Sequence, residues 1–140
     1  MFAEPMKKCF ARNHFLIFIL FTGFLHPAFS QPAEKIELLN ADVSEFDQSL
    51  NAKATRLIGN VAFKHENAIM HCDSAYLYRD ENRLEAFQNV RITQGDTLTL
   101  TGKRLLYDGN TRMAQVFENV VLSDKRMTLR TSQLDYDMAT

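Results

Sequence analysis

The 140-residue sequence has no tryptophan, three prolines, five glycines and two cysteines, and its formal charge is −1. So little glycine and proline excludes a collagen-like or low-complexity chain. Charges of the two signs nearly balance, so the chain lacks the basic excess with which proteins bind duplex nucleic acid, and no nucleic-acid partner is predicted. Two cysteines are also too few for a disulfide-stapled miniprotein.

Residues 1–30 have the features of a secretory signal peptide. A basic start precedes an apolar run over residues 15–25, and Ala28-Phe29-Ser30 supplies a small-residue cleavage site before Gln31. The run is shorter than the ~20 residues that a membrane-spanning helix needs. We therefore expect cleavage and export to the periplasm, with a retained anchor as the alternative.

The expected mature chain, residues 31–140, is long enough for one domain that buries roughly two-thirds of the surface of its unfolded chain. It keeps 13 basic and 16 acidic residues, for a formal charge of −3, and a single cysteine, Cys72. An internal disulfide is therefore excluded after cleavage, and hydrophobic burial has to hold the domain together.

The clearest feature of this segment is self-similarity with a period of about 29 residues. Three copies begin with an Asn-Val pair, at Asn60, Asn89 and Asn119, and a partial earlier copy ends at Phe46-Asp47. The last copy stops at residues 137–140, so we expect the chain to be the N-terminal part of a longer array. Its final strand would then have an unpaired edge.

Apolar residues occupy every second position within each copy, as in Val90 and Ile92 or Leu98 and Leu100. This is the period of a strand with one buried face, and helical spacing is absent. Short polar segments rich in Asn, Asp and Gly separate the runs, and such short links join antiparallel strands. The sequence therefore predicts an all-β fold, an antiparallel β-jellyroll or flattened β-solenoid of repeated hairpins.

The pattern resembles the OstA-like (organic solvent tolerance) N-terminal family over residues 36–140. The residues that carry the resemblance are Leu57-Ile58-Gly59-Asn60-Val61, the Phe-x-Asn-Val segments beginning at Phe87 and Phe117, and the strand ends Phe46-Asp47, Tyr107-Asp108 and Tyr136-Asp137. A generic β-solenoid is the alternative, since Asn-Val turns are not specific to one family.

The resemblance implies a periplasmic carrier of lipopolysaccharide, with the acyl chains of lipid A held between two apolar sheet faces. It also implies pairing of edge strands with other jellyroll domains of an export bridge, and association with the outer membrane is compatible with it. Neither a cofactor nor an enzymatic activity is predicted, because no phosphate loop, nucleophile motif or carboxylate pair is present.

A cleft lined by apolar side chains suits an acyl chain, since each buried CH₂ contributes about 0.8 kcal/mol. The residues expected to line it are Val61, Phe63, Ile69, Val90, Ile92, Leu98, Leu100, Val120, Leu122, Met127 and Leu129. The alternative is that these residues only pack against one another, in a structural or adhesive β-repeat module without lipid cargo.

Two polar groups are further candidates for a site. His65, Glu66, His71, Cys72 and Asp73 are residue types that ligate metals, but their spacing matches no tetrahedral pattern, and no metal site is predicted. The repeat alignment instead places His71 in the core or cleft and Cys72 on the outer face.

A second group consists of cations that either meet lipid phosphates or form a solvated face: Lys103, Arg104, Lys125, Arg126 and Arg130.

Overall fold

The computed structural model describes residues 32–47 and 54–139, and every element of this part is a β-strand. The signal peptide prediction lies outside the described residues. The strands are β1 (Glu37–Asn40), β2 (Val43–Asp47), β3 (Ala54–His65), β4 (Ala68–Tyr78), β5 (Arg83–Gln94), β6 (Leu98–Asp108), β7 (Met113–Ser123) and β8 (Thr128–Asp137). The described part has no helix long and apolar enough to cross a membrane.

All strands belong to one antiparallel sheet with the order β1-β3-β4-β5-β6-β7-β8, which confirms the predicted all-β antiparallel class. Sequential neighbours pair because short connections join them. The two short strands share one side of β3: β1 pairs with its end near Phe63, and β2 pairs with its start, residues 54–58.

Each of β3, β5 and β7 is interrupted at its middle by two consecutive residues in the left-handed region. These pairs are Gly59-Asn60 (φ 79° and 47°), Gln88-Asn89 (φ 61° and 50°) and Glu118-Asn119 (φ 63° and 53°). At each pair the strand carries one residue more than its neighbour, which makes a β-bulge. Asparagine tolerates this conformation better than most residues, which explains the asparagine that opens each sequence repeat.

The bulges allow the sheet to fold onto itself. His65 lies in the same row of paired residues as Leu98, and Tyr107 lies nine residues further along β6. In a flat sheet His65 and Tyr107 would therefore be about 30 Å apart along the strand direction. The His65 ring nevertheless lies 2.7 Å from the Tyr107 hydroxyl. The sheet must therefore bend between these two residues. We assign this bend to the bulges, because a bulge bends its strand and increases its twist.

The fold divides the long strands into two facing layers. Layer A contains residues 54–58, 74–78, 83–87, 104–108, 113–117 and 133–137, and layer B contains 61–65, 68–72, 90–94, 98–102, 120–123 and 128–131. The two layers expected for a jellyroll are thus halves of one hydrogen-bonded sheet, joined at the bulges.

One apolar core fills the space between the layers. Layer A contributes Leu57, Leu77, Leu84 and Leu105, and layer B contributes Phe63, Met70, Ile92 and Leu100, all at most 1% exposed. Full burial of such a side chain contributes about 1.5–3 kcal/mol, so this shared core is the main stabilising term. No described buried side-chain nitrogen or oxygen lacks a hydrogen-bond partner.

We expect Asn89→Val to lower the free energy of unfolding by about 2 kcal/mol, because a β-branched residue is strained in the left-handed region. Asn89→Gly is the matched control, since both variants lose the 2.8 Å bond from Asn89 Nδ2 to Asp73 Oδ2. Glycine adopts the conformation freely and should cost less than about 1 kcal/mol. Urea unfolding measures both, and equal losses would show that the side-chain bond matters rather than the backbone.

Candidate functional site

The inner face of layer B is built from rows of paired apolar residues. One row crosses the layer through Phe63, Met70, Ile92, Leu100 and Leu122. Each partner is directly opposite the next, so the side chains form one continuous apolar strip. This strip faces the core of layer A and is the surface that an apolar ligand would meet between the layers.

The residues predicted to line the cleft fall into three groups by exposure. Val61, Phe63, Val90, Ile92, Leu100 and Val120 are at most 2% exposed, and Leu98 and Leu122 are half-buried. Ile69 is 37% exposed, Met127 53% and Leu129 36%. Leu129 continues the inner row opposite Leu122 but lies on the terminal strand β8, and Met127 precedes that strand.

The placement of Ile69 on the inner face is wrong, and hairpin length is the reason. Two residues separate the paired His65 and Ala68, whereas three separate the paired Gln94 and Leu98. Met70 rather than Ile69 therefore stands in the same row as Leu100. Because side chains alternate along a strand, a slip of one residue moves the whole strand's pattern to the other face.

The same slip corrects His71 and Cys72. His71 is exposed on the outer face, whereas Cys72 is 5% exposed and belongs to the core cluster. Desolvation by this burial raises the pKa of the Cys72 thiol to about 12. The cysteine is a small core residue, and among the described residues no group of three or more His, Cys, Asp or Glu is placed to hold a metal ion.

Opposite the bulges, the free ends of the two layers meet along a polar seam, defined here by three contacts. His65 Nδ1 lies 2.7 Å from the Tyr107 hydroxyl, Glu66 pairs with Arg112 at 3.1 Å, and Gln94 Nε2 donates to the carbonyl of Met138 at 2.8 Å. Each contact joins residues more than 40 positions apart. The seam therefore closes the side of the core that the bulges leave open.

The buried His65 ring is satisfied at both nitrogens. Nε2 lies 2.9 Å from the carbonyl oxygen of Glu34, which only accepts, so Nε2 carries the hydrogen. In the neutral ring Nδ1 then accepts from the Tyr107 hydroxyl. Burial raises the pKa of Tyr107, which keeps that hydroxyl protonated as a donor.

The segment of residues 34–36, called the strap below, lies across the seam and is held by Asn82. The Asn82 side chain is 2% exposed; its Oδ1 accepts from Ile36 N and its Nδ2 donates to the Glu34 carbonyl, both at 2.9 Å. The neighbouring turn packs closely against this amide: a Cβ on Gly109 would lie only 2.7 Å from Asn82 Nδ2, so a residue larger than glycine would clash there. Ile36 enters the core at 6% exposed.

The sequence offered no sign that His65, Tyr107 and Asn82 become buried. In the sequence, His65 is considered only as a metal-ligating residue type, Asn82 lies in a short polar segment between two apolar runs, and Tyr107 marks a strand end. Their burial depends on which distant strand ends the folded sheet brings together, and local composition carries no information about that.

The structure does not bring the five candidate cations together. Arg104 lies on the outer face of layer A between the rings of Phe87 and Phe117, 5.9 and 5.8 Å from their centroids, with Lys103 beside it. Lys125 and Arg126 lie in the β7–β8 connection, and Arg130 on β8. They therefore form no single anion site.

Comparison with known proteins identifies the family to which the chain belongs. The model of the OstA-like protein family matches residues 33–140, so the chain belongs to that family. A solved structure with the same fold is LptH of Pseudomonas aeruginosa, described as the LptA homologous periplasmic component of the conserved lipopolysaccharide transport device. Its TM-score is 0.63 at 15% identity, over 74% of this chain and 76% of that chain. A search of curated protein sequences gave no match.

Tyr107→Phe should lower the free energy of unfolding by about 1–3 kcal/mol, because it leaves the buried His65 Nδ1 without a donor. Tyr78→Phe is the matched control, since Tyr78 is half-buried on the outer face and its change should stay within about 0.5 kcal/mol. Urea unfolding compares the two, and equal effects would contradict a seam bond that stabilises the closed layers.

Cys72 should be unreactive in the folded chain. At pH 8 a pKa of about 12 in place of 9.0 lowers the thiolate fraction about 1000-fold, and only the thiolate is alkylated. A Cys9→Ser variant leaves Cys72 as the one cysteine of the chain. In this variant the alkylation rate of the folded chain should be low and should still rise as the pH increases above 9. In urea the rate should be high and should level off above pH 9. Rapid labelling without denaturant would instead place Cys72 on the outer face.

Proposed function

We propose that this chain is a periplasmic lipopolysaccharide transport protein that carries the acyl chains of lipid A between layers A and B. The main support for this proposal is the continuous apolar inner face that both layers of this OstA-like fold share. LptH, whose fold is similar, is described as a periplasmic component of a lipopolysaccharide transport device. The signal peptide proposed for residues 1–30 supports export to the periplasm.

Loading requires the layers to separate, because the inner residues are packed against one another in this structure. The bulge side is hydrogen-bonded strand, and the seam side is held by a few side-chain contacts, so opening would occur at the seam. An acyl chain of about 12 carbons contributes roughly 10 kcal/mol on burial at about 0.8 kcal/mol per CH₂. Each seam hydrogen bond contributes only about 0.5–1.5 kcal/mol.

No inner-face group of the described residues is set up for catalysis. Of the polar side chains there, His65 and Tyr107 bond to each other, and Cys72 is kept protonated by its raised pKa. A nucleophile needs an adjacent base or a lowered pKa. A carrier without enzymatic activity fits these residues, and movement of cargo between clefts would be driven by partners.

The proposed partners are other jellyroll domains that extend the sheet by edge-strand pairing. The outer strands β1, β2 and β8 are sheet edges, and exposed apolar residues accompany them. Leu39, Val43 and Phe46 are 48%, 45% and 58% exposed at one end, and Met127 is 53% exposed at the other. Unpaired backbone groups beside apolar side chains favour the addition of a further strand.

Photocrosslinking tests the cargo. Probes at Leu122 and Met70 on the inner face should crosslink to lipopolysaccharide, and probes at Ile69 and Thr99 on the outer face should not. Ile69 and Met70 are a matched pair, since they are neighbours in sequence that face opposite sides. Crosslinks from both members would indicate nonspecific surface binding. A folded chain without any crosslinks would favour the alternative, a structural or adhesive module without lipid cargo.

A further inference from the structure

A small pocket lies where the strap meets the turn between β4 and β5. It has a volume of about 200 Å³ and is lined by Lys35, Ile36, Leu77, Arg79 and Asn82. A water molecule takes up about 30 Å³ in the liquid, so the pocket has room for about six groups of that size. That is enough for a short piece of a ligand and too little for a whole glycolipid.

The lining separates into an apolar floor and a cationic rim. Ile36 and Leu77 form the floor at 6% and 1% exposed, and both belong to the core cluster shared by the two layers. Lys35 and Arg79 are exposed side chains. Among the described residues neither forms an ion pair.

Asn82 holds the backbone at both cations. Its side chain binds the backbone on each side of Lys35, at Glu34 O and Ile36 N, and its own backbone N donates to the carbonyl of Arg79 at 3.3 Å. The second hydrogen of Nδ2 points to Asn110 Oδ1 at 3.3 Å. Both Nδ2 hydrogens and Oδ1 therefore have protein partners, and Asn82 is a positioning residue rather than a ligand.

We propose that this pocket binds the junction between a phosphate-bearing sugar and an acyl chain. Lys35 and Arg79 hold the phosphate, and Ile36 and Leu77 contact the first methylenes of the chain. A phosphate monoester carries about −1.5 to −2 charges at neutral pH, and ammonium and guanidinium groups are its preferred partners. Because the floor is part of the core, a chain that starts here enters the space between the layers.

This assignment rests on the proposed lipid-carrier function and deepens it. It places the charged group at the seam, at Lys35 and Arg79, and not at the five cations considered from the sequence. A charged group at the seam stays in water while the acyl chain is buried, which avoids the cost of desolvating an unpaired phosphate.

The test compares two ligands on the purified full chain. Lipid A with its phosphates and the same lipid after enzymatic removal of the phosphates compete with a bound hydrophobic dye, which reports an affinity for each. We expect the wild-type chain to prefer the phosphorylated form at least tenfold. In Lys35→Glu/Arg79→Glu that preference should disappear, while the affinity for the dephosphorylated form stays within about twofold of wild type.

Lys125→Glu/Arg126→Glu is the control variant, because it makes the same change of net charge away from the pocket. It should keep the preference, and Lys35→Arg/Arg79→Lys should keep it as well. Circular dichroism and thermal unfolding verify that each variant is folded.

Three results would overturn the assignment. One is an unchanged preference in Lys35→Glu/Arg79→Glu, and another is an equal loss in the control variant, which would indicate a general charge effect. The third is displacement of the phosphorylated lipid by millimolar inorganic phosphate, which would indicate a site for the free anion. Failure of the carrier function itself is distinguishable, since wild type would then bind neither form of the lipid.

Discussion

The left-handed residue pair in the middle of β3, β5 and β7 is the constraint on which the rest of this fold depends. A sheet with one apolar face must cover that face, and a short chain with no helix in its described part has only its own sheet to cover it with. The pairs at Asn60, Asn89 and Asn119 let β3, β5 and β7 turn back, and the strands paired with them follow, so that the two halves of the sheet face each other. Every buried contact between layers A and B follows from these bends.

The two sides of the folded sheet are held by different interactions. At the bulges the layers are joined by the backbone itself, so separation there would break strands. At the seam they are joined by His65 and Tyr107, by the Glu66–Arg112 pair and by the strap, and each of these contacts is individually weak. Two layers that are continuous at the bulges and weakly held at the seam suit an apolar ligand that enters between them through the seam.

The seam also places polar and apolar groups side by side. Ile36 is buried in the core while Lys35, the preceding residue, is exposed at the rim of a pocket. Asn82 holds both residues through the backbone, and its buried amide has no unsatisfied atom. The same side-chain amide thus closes the core and orients charge at its entrance, which is the combination that an amphipathic ligand requires.

Alternation and turn composition by themselves determined the class of fold, because a period of two and short polar links leave antiparallel strands as the solution. They also determined most of the inner face, including Val61, Phe63 and Ile92. Only the tertiary structure decided the facing of β4, where a hairpin of two residues rather than three exchanged Ile69 for Met70. It alone decided the seam and the pocket too, because His65 meets Tyr107, and Asn82 meets the strap, only once the sheet has folded. Contacts between residues more than 40 positions apart leave no local pattern.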